Sequence, residues 1–326
     1  MNTPTKVAVF VVGLAVVFVG ALGIGNAVGP VADEPVSHDD EHVAGGSEDE
    51  HGGGHGDTAE TAPAADIPGG LMISQDGYTF RLSEEKAQPG KQVLVAFTIE
   101  GPDGQPVTAY DVEHEKQLHL IATRRDFTGF QHVHPVLDAD GTWRARLDLT
   151  PGAWRLFADF KATGAEALTL GADLSVAGDY EPEPPSSEVR TAQVDGYTVT
   201  LEGDLTAGAD ARLTLSVSKD GRPVTDLEPY LGAYGHLVAL REGDLAYLHV
   251  HPDGSPGDGE TEPGPDVVFY AAVPSDGGYR LYLDFQHDGV VRTAAFAVSA
   301  GEVPSAQPEE TPADTPHEEE EGDHGH

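Results

Sequence analysis

From residue 77 to residue 300, apolar and polar positions alternate in short runs. "YTFRL", "QVLVAFTI", "QLHLIAT", "FQHVH", "TWRARLDL", "AWRLFADF" and "ALTLGADLSVA" follow one another, many separated by turn signals such as "PDG", "DADG" and "TPG". A period of two puts successive side chains on opposite faces, so each run predicts a strand with one buried side. In "WRLFADF" that rule places Trp154, Leu156, Ala158 and Phe160 on one face and Arg155, Phe157 and Asp159 on the other. No segment here sustains a helical period. Seven such strands in about 100 residues form the pattern of an immunoglobulin-like or fibronectin-like β-sandwich.

The same region is written twice. "DGQPVT" at 103–108 matches "DGRPVT" at 220–225, and "GAWRLFADF" at 152–160 matches "GGYRLYLDF" at 277–285. The offset is 117 residues from Asp103 to Pro135 and 125 at the "DF" pair, because the second copy lengthens its acidic loop, "DGSPGDGETEPGPD". A period this long is a duplicated domain and not a solenoid unit. The expectation is an all-β chain with two independent sandwiches, at 71–178 and 191–301, joined by a Pro/Glu-rich linker at 179–190.

Residues 7–25, "VAVFVVGLAVVFVGALGIG", carry no charge and are close to the ~20 residues that span a bilayer as a helix. Residues 1–30 therefore read as a single-pass transmembrane anchor or, with cleavage near "PVA" at 30–32, as a signal for secretion. Lys6 before the span and acid after it place the body outside the cytoplasm in both cases. Residues 31–70 and 302–326 are low in complexity, acidic and dotted with histidine (His38, His42, His51, His55; His317, His324, His326), and are expected to stay unfolded. Such tracts collect divalent metal weakly or serve as solvated spacers.

Composition narrows the function. With 56 acidic against 18 basic residues the formal charge is −38, which argues against nucleic acid or an anionic membrane surface as a partner. There is no cysteine and there are only two methionines, so thiolate and thioether sites are excluded and any metal must be held by imidazole and oxygen. No G-x-S-x-G, Walker loop or H-E-x-x-H occurs, and the "HVH" pair lacks the rest of the first cupin motif, so an enzyme is not expected.

Histidine is the remaining signal. His119, His132 and His134 match His236, His249 and His251, and both sets read H-x12-H-x-H-P, while His114 and His287 have no counterpart. Residues two apart on a strand share a face. If Glu242-Gly243 form the turn of a hairpin, His236 lies opposite His249 and the three imidazoles converge. Three imidazoles make an open site for Zn(II) or Cu(II). The competing reading is structural histidine, bonded to backbone at strand ends. Asp159 and Asp284 also match, on the same predicted face as Arg155 and Arg280. Surface Arg–Asp pairs are the expectation there, with a fourth metal ligand as the alternative.

On "LHLIATRRDFTGFQHVHP", "GHLVALREGDLAYLHVHP" and the "YRLYLDF" strand, the chain resembles secreted or membrane-anchored bacterial proteins, mostly from high-GC Gram-positive organisms. Those proteins carry tandem HVHP-type sandwich domains and are described as heavy-metal- or copper-associated. The resemblance covers about residues 77–300 and implies a membrane-anchored, extracytoplasmic metal binder, with a metal-handling membrane partner left open. The alternative is a cell-surface module of immunoglobulin-like domains whose histidines are structural.

Overall fold

A computed structural model describes residues 67–184 and 187–301. The span at 7–25, nearly all of the 31–70 linker and the 302–326 tail lie outside the described residues. Among the described residues no helix is long and apolar enough to cross a membrane, and the regular elements are strands.

The longer strands of the first repeat are β1 (Tyr78–Leu82), β2 (Gly90–Glu100), β3 (Leu118–Arg124), β4 (Gln131–Val133), β5 (Thr142–Leu149), β6 (Gly152–Lys161) and β7 (Ala167–Val176). One sheet orders β1–β2–β5, with two-residue strands on its edges, and the other orders β7–β6–β3–β4. In β5 the alternation is fully expressed: Trp143, Ala145, Leu147 and Leu149 are buried while Arg144, Arg146 and Asp148 are exposed. The two sheets close over Phe80, Phe97, Trp143, Trp154, Leu156 and Phe160.

The second repeat contains β8 (Thr191–Val194), β9 (Tyr197–Glu202), β10 (Ala209–Lys219), β11 (His236–Arg241), β12 (Val250–Pro252), β13 (Asp266–Val273), β14 (Gly277–His287) and β15 (Val290–Gly301). Its sheets run β8–β9–β10–β13–β12 and β15–β14–β11. Tyr197, Leu215, Phe269, Tyr279 and Phe285 fill its core. The chain is thus all-β and made of two repeated immunoglobulin-like sandwiches.

The sandwiches are not independent. A third apolar cluster joins Ile121 and Phe157 of the first to Val238, Leu240, Leu245 and Tyr282 of the second. The face of "WRLFADF" that alternation assigned to solvent is therefore covered. Its apolar member Phe157 is fully buried, and Arg155 is 8% exposed. The covering surface is the same face of the other repeat, so the contact is built as an isologous interface within one chain. Phe130 stacks on Tyr282 with ring centroids 3.8 Å apart and planes 5° from parallel. Tyr247 lies 5.8 Å from Phe157. Tyr247 is the repeat counterpart of Phe130 and Tyr282 that of Phe157, so the two contacts are one contact made in both directions.

Two features break the symmetry. The Tyr282 hydroxyl donates to the Phe127 carbonyl at 2.9 Å, a bond that Phe157 cannot return. The segment before β1 also runs along the joint: Gly70 donates to the Thr169 carbonyl at 2.7 Å and Tyr247 donates to the Gly69 carbonyl at 2.9 Å. Gly70 has φ +74°, and a Cβ there would sit 2.4 Å from the Phe157 ring, so this close pass requires glycine.

Candidate metal centre at the domain interface

The histidines gather where the two repeats meet. In the first repeat Leu120 pairs with Val133 and Ile121 with His132. This register is two residues off the one expected from the Glu242-Gly243 turn. A shift of two keeps every side chain on its face, so His119, His132 and His134 still point the same way. Their donor atoms lie within 4.8 Å of one another.

The four ring nitrogens of His119 and His132 each have a partner. His119 Nε2 faces the Glu113 carbonyl at 3.2 Å, and a carbonyl only accepts, so this nitrogen carries the proton. His132 Nδ1 faces Asp284 Oδ2 of the second repeat at 2.8 Å and carries the proton there. His119 Nδ1 and His132 Nε2 face each other across 3.0 Å, a hydrogen bond when one of them carries the proton. The third imidazole, His134, has a buried Nε2 with no hydrogen-bond partner. Two imidazoles on one tetrahedral zinc hold their nitrogens about 3.3 Å apart, from bonds of ~2.0–2.1 Å. The observed gap needs to open by only a few tenths of an ångström. An imidazole that donates its outer N–H to a carboxylate or carbonyl while its inner nitrogen faces a cluster is the arrangement metal-ligating histidines adopt.

Burial and neighbouring charge keep three of the rings neutral. Burial, then the neighbouring His132, pushes His119 down to about 3. Burial and His132 bring His134 down to about 4. His236 is pushed well below its ordinary value by burial and then by His132 and His119. Neutral imidazole is the form that binds metal.

His236 arrives from the second repeat. Its ring is stacked on His119 with centroids 5.5 Å apart and planes 6° from parallel, and it lies 4.9 Å from His132. His119 and His236 are repeat counterparts, so this contact sits on the pseudo-twofold axis itself. His114, unmatched in the duplication, stands 6.0 Å from His119 and 5.7 Å from His236.

The second predicted triad does not assemble. β12 pairs with β13, placing His251 opposite Tyr270, and leaves β11 after Leu248. His249 and His251 are exposed, lie 5.8 Å from each other, and His251 stacks on Tyr270 at 5.6 Å. Competition from β13 decides the outcome, because β12 takes the edge of β13 in place of β11.

The expected Arg155–Asp159 and Arg280–Asp284 pairs do not form. Arg155 donates to the carbonyls of Gly70 (2.6 Å) and Leu71 (3.0 Å) and to Asp173 (3.1 Å). Arg280 pairs with Glu242 at 2.6 Å. The aspartates face histidines instead: His119 is in register with Asp159 and His236 with Asp284. Asp284 is 2% exposed and takes the Thr293 hydroxyl as well as His132. Its part as the outer partner of a candidate ligand was missed. The available signal was the match of both aspartates beside matched histidines.

Residues 73–177 and 192–302 each match the same domain-family model. The chain belongs to this family, the domain of unknown function DUF8832. Comparison with curated proteins returned no match. Among solved structures the DUF8832 pair is similar to the Escherichia coli adhesin FdeC, at 14% identity over 71% of this chain and 65% of that one, with a TM-score of 0.23. It is similar to the Yersinia pseudotuberculosis adhesin InvE, at 11% identity over 70% and 60%, with a TM-score of 0.20. A putative membrane anchored protein from Corynebacterium diphtheriae is similar at 11% identity over 72% and 61%, with a TM-score of 0.21. The chain spans 60–65% of the length of these three structures.

Proposed function

We propose that this DUF8832 protein is an extracytoplasmic binder of a divalent transition metal, Zn(II) or Cu(II), held by His119, His132 and His134. The observation that carries the reading is the pair of inward nitrogens 3.0 Å apart, on rings each fixed by an outer hydrogen bond to an acceptor. A cation between these nitrogens takes a bond from each, where the metal-free contact holds one hydrogen bond. The apolar run at 7–25 supplies the placement outside the cytoplasm, as an anchor or as a signal. The protein is read as a carrier and not as an enzyme, because the sequence has no catalytic motif beside the triad. The acidic, His-rich tails raise the local cation concentration.

A second reading has its own support. The bond from His132 to Asp284 and the Phe130–Tyr282 stack tie the repeats together, which fits a cell-surface module whose histidines are structural. Thermal unfolding of the full chain separates the two readings. Metal at 100 times its dissociation constant should stabilise the fold by about 2.7 kcal/mol. His132→Ala, which leaves the tail histidines in place, should remove the gain. Equal melting with and without Zn(II) and Cu(II) would leave the structural reading.

A further inference from the structure

The pseudo-twofold axis maps one end of the joint onto the other. It carries His119 to His236, His132 to His249, and Asp284 to Asp159. At the first end these groups have closed on one another. At the second end His236, His249 and Asp159 line one cavity of about 300 Å³. Asp284 receives the Thr293 hydroxyl and the His132 ring. Asp159 receives only the Thr169 hydroxyl, at 2.9 Å, with no imidazole in the place that His132 fills for its mate.

We propose that this cavity is a second divalent-cation site, formed by His236, His249 and Asp159 at the pseudo-symmetric end of the joint, with Asp159 a ligand where its counterpart Asp284 is an outer partner. The proposal rests on the reading that the interface imidazoles bind metal. The donor set is two nitrogens and one oxygen, which suits Zn(II) and its neighbours in the first transition row. The site is open because backbone bonds hold its strand back. Ala272 donates to the His249 carbonyl at 3.1 Å, and Gly69 takes the Tyr247 N–H. His249 is exposed, so its ring is free to turn about its own torsions toward the cavity. A site that must order one ligand on binding is weaker than one whose ligands are already locked. The two sites are therefore unequal, with the first filling before the second.

The test is Co(II) titration of the full chain, read by the visible absorption of low-coordinate cobalt. Cobalt held by an isolated imidazole and water stays six-coordinate and contributes little to that band. Two equivalents should develop the band, in two phases. His249→Ala should remove the weaker equivalent and keep the tighter one. His132→Ala should remove the tighter one. Asp159→Asn should also lose the weaker equivalent, and the unchanged far-UV spectrum of exposed-site His249→Ala checks that the fold survives. A single equivalent, lost in His132→Ala and indifferent to His249→Ala, overturns the second site and leaves the first. No band at all overturns both. Loss of the weaker equivalent in His249→Ala but not in Asp159→Asn places the ion on the exposed His249–His251 pair and overturns the cavity site.

Discussion

Asp284→Ala is the most informative single change, because Asp284 lies in one repeat and the ring it holds lies in the other. Asp284 is 2% exposed, and the His132 side chain it binds is 1% exposed. Removing the carboxylate leaves two buried donors without an acceptor, His132 Nδ1–H and the Thr293 hydroxyl. Each unmet buried donor costs about 1–3 kcal/mol. Part of that is offset because a buried carboxylate no longer has to be desolvated. A net loss of about 2 kcal/mol lowers the melting temperature of a unit this size by roughly 4–8 °C. A second effect falls on the metal. His132 loses the partner that fixes its tautomer, and such outer partners are worth about 10–100-fold in affinity. Asp284→Asn, which keeps an acceptor oxygen, should show less of both effects. Calorimetry of the metal-free protein reads the first quantity, and chelator competition reads the second. If stability falls while affinity for Zn(II) and Cu(II) is unchanged, His132 is not a ligand. If neither changes, the bond between the repeats contributes nothing.

Two further predictions follow from the joint. Tyr282→Ala removes a ring that is 4% exposed and should cost about 3–5 kcal/mol, splitting one calorimetric transition into two; a single unshifted transition would contradict the shared core. In the metal-free protein His119, His134 and His236 have folded values below the unfolded ~6.5, so the unfolded chain protonates first. Their contribution is complete above about pH 6.5 and is lost as pH falls toward 4, by up to ~1.4 kcal/mol per pH unit for each ring. Melting at pH 7 and pH 5 should therefore differ more for the parent than for His236→Gln. Equal differences would show that the His236 ring is not held neutral.

The strands were legible because each repeat keeps a clean period of two, as in β5, where every second residue is buried. The duplication was legible from matched words, and it located six of the histidines. What the alternation could not show is that one repeat's outward face is the other's partner. Phe157 between Arg155 and Asp159 reads as a stray apolar residue on a wet face until a second copy of that face covers it. The Arg155–Asp159 and Arg280–Asp284 pairings failed on distance. Residues four apart along a strand stand roughly 13 Å from each other, while directly opposed cross-strand neighbours have Cβ atoms about 4.5–5.5 Å apart. The neighbours of Asp159 and Asp284 are therefore His119 and His236, on the adjacent strands. His249 and His251 failed for a different reason. Their strand had two possible partners, β11 and β13, and local spacing cannot rank a long-range choice.

The duplication itself explains why the chemistry sits at the joint. A sandwich exposes the outer faces of its sheets, and a lone domain gains nothing by lining such a face with buried histidine and aspartate. Two copies related by a twofold axis cover that face with itself, so residues on it become buried in pairs without any new sequence. Matched histidines near the axis then meet their own counterparts, as His119 meets His236. Matched aspartates meet the other copy's histidines, as Asp284 meets His132. One end has closed and the other has not, and the difference traces to Gly69 holding Tyr247 and to β12 joining β13. An interface that began symmetric thus offers two versions of one constellation, one preorganised and one open. If both bind, occupancy of the second should report cation concentrations at which the first is already full.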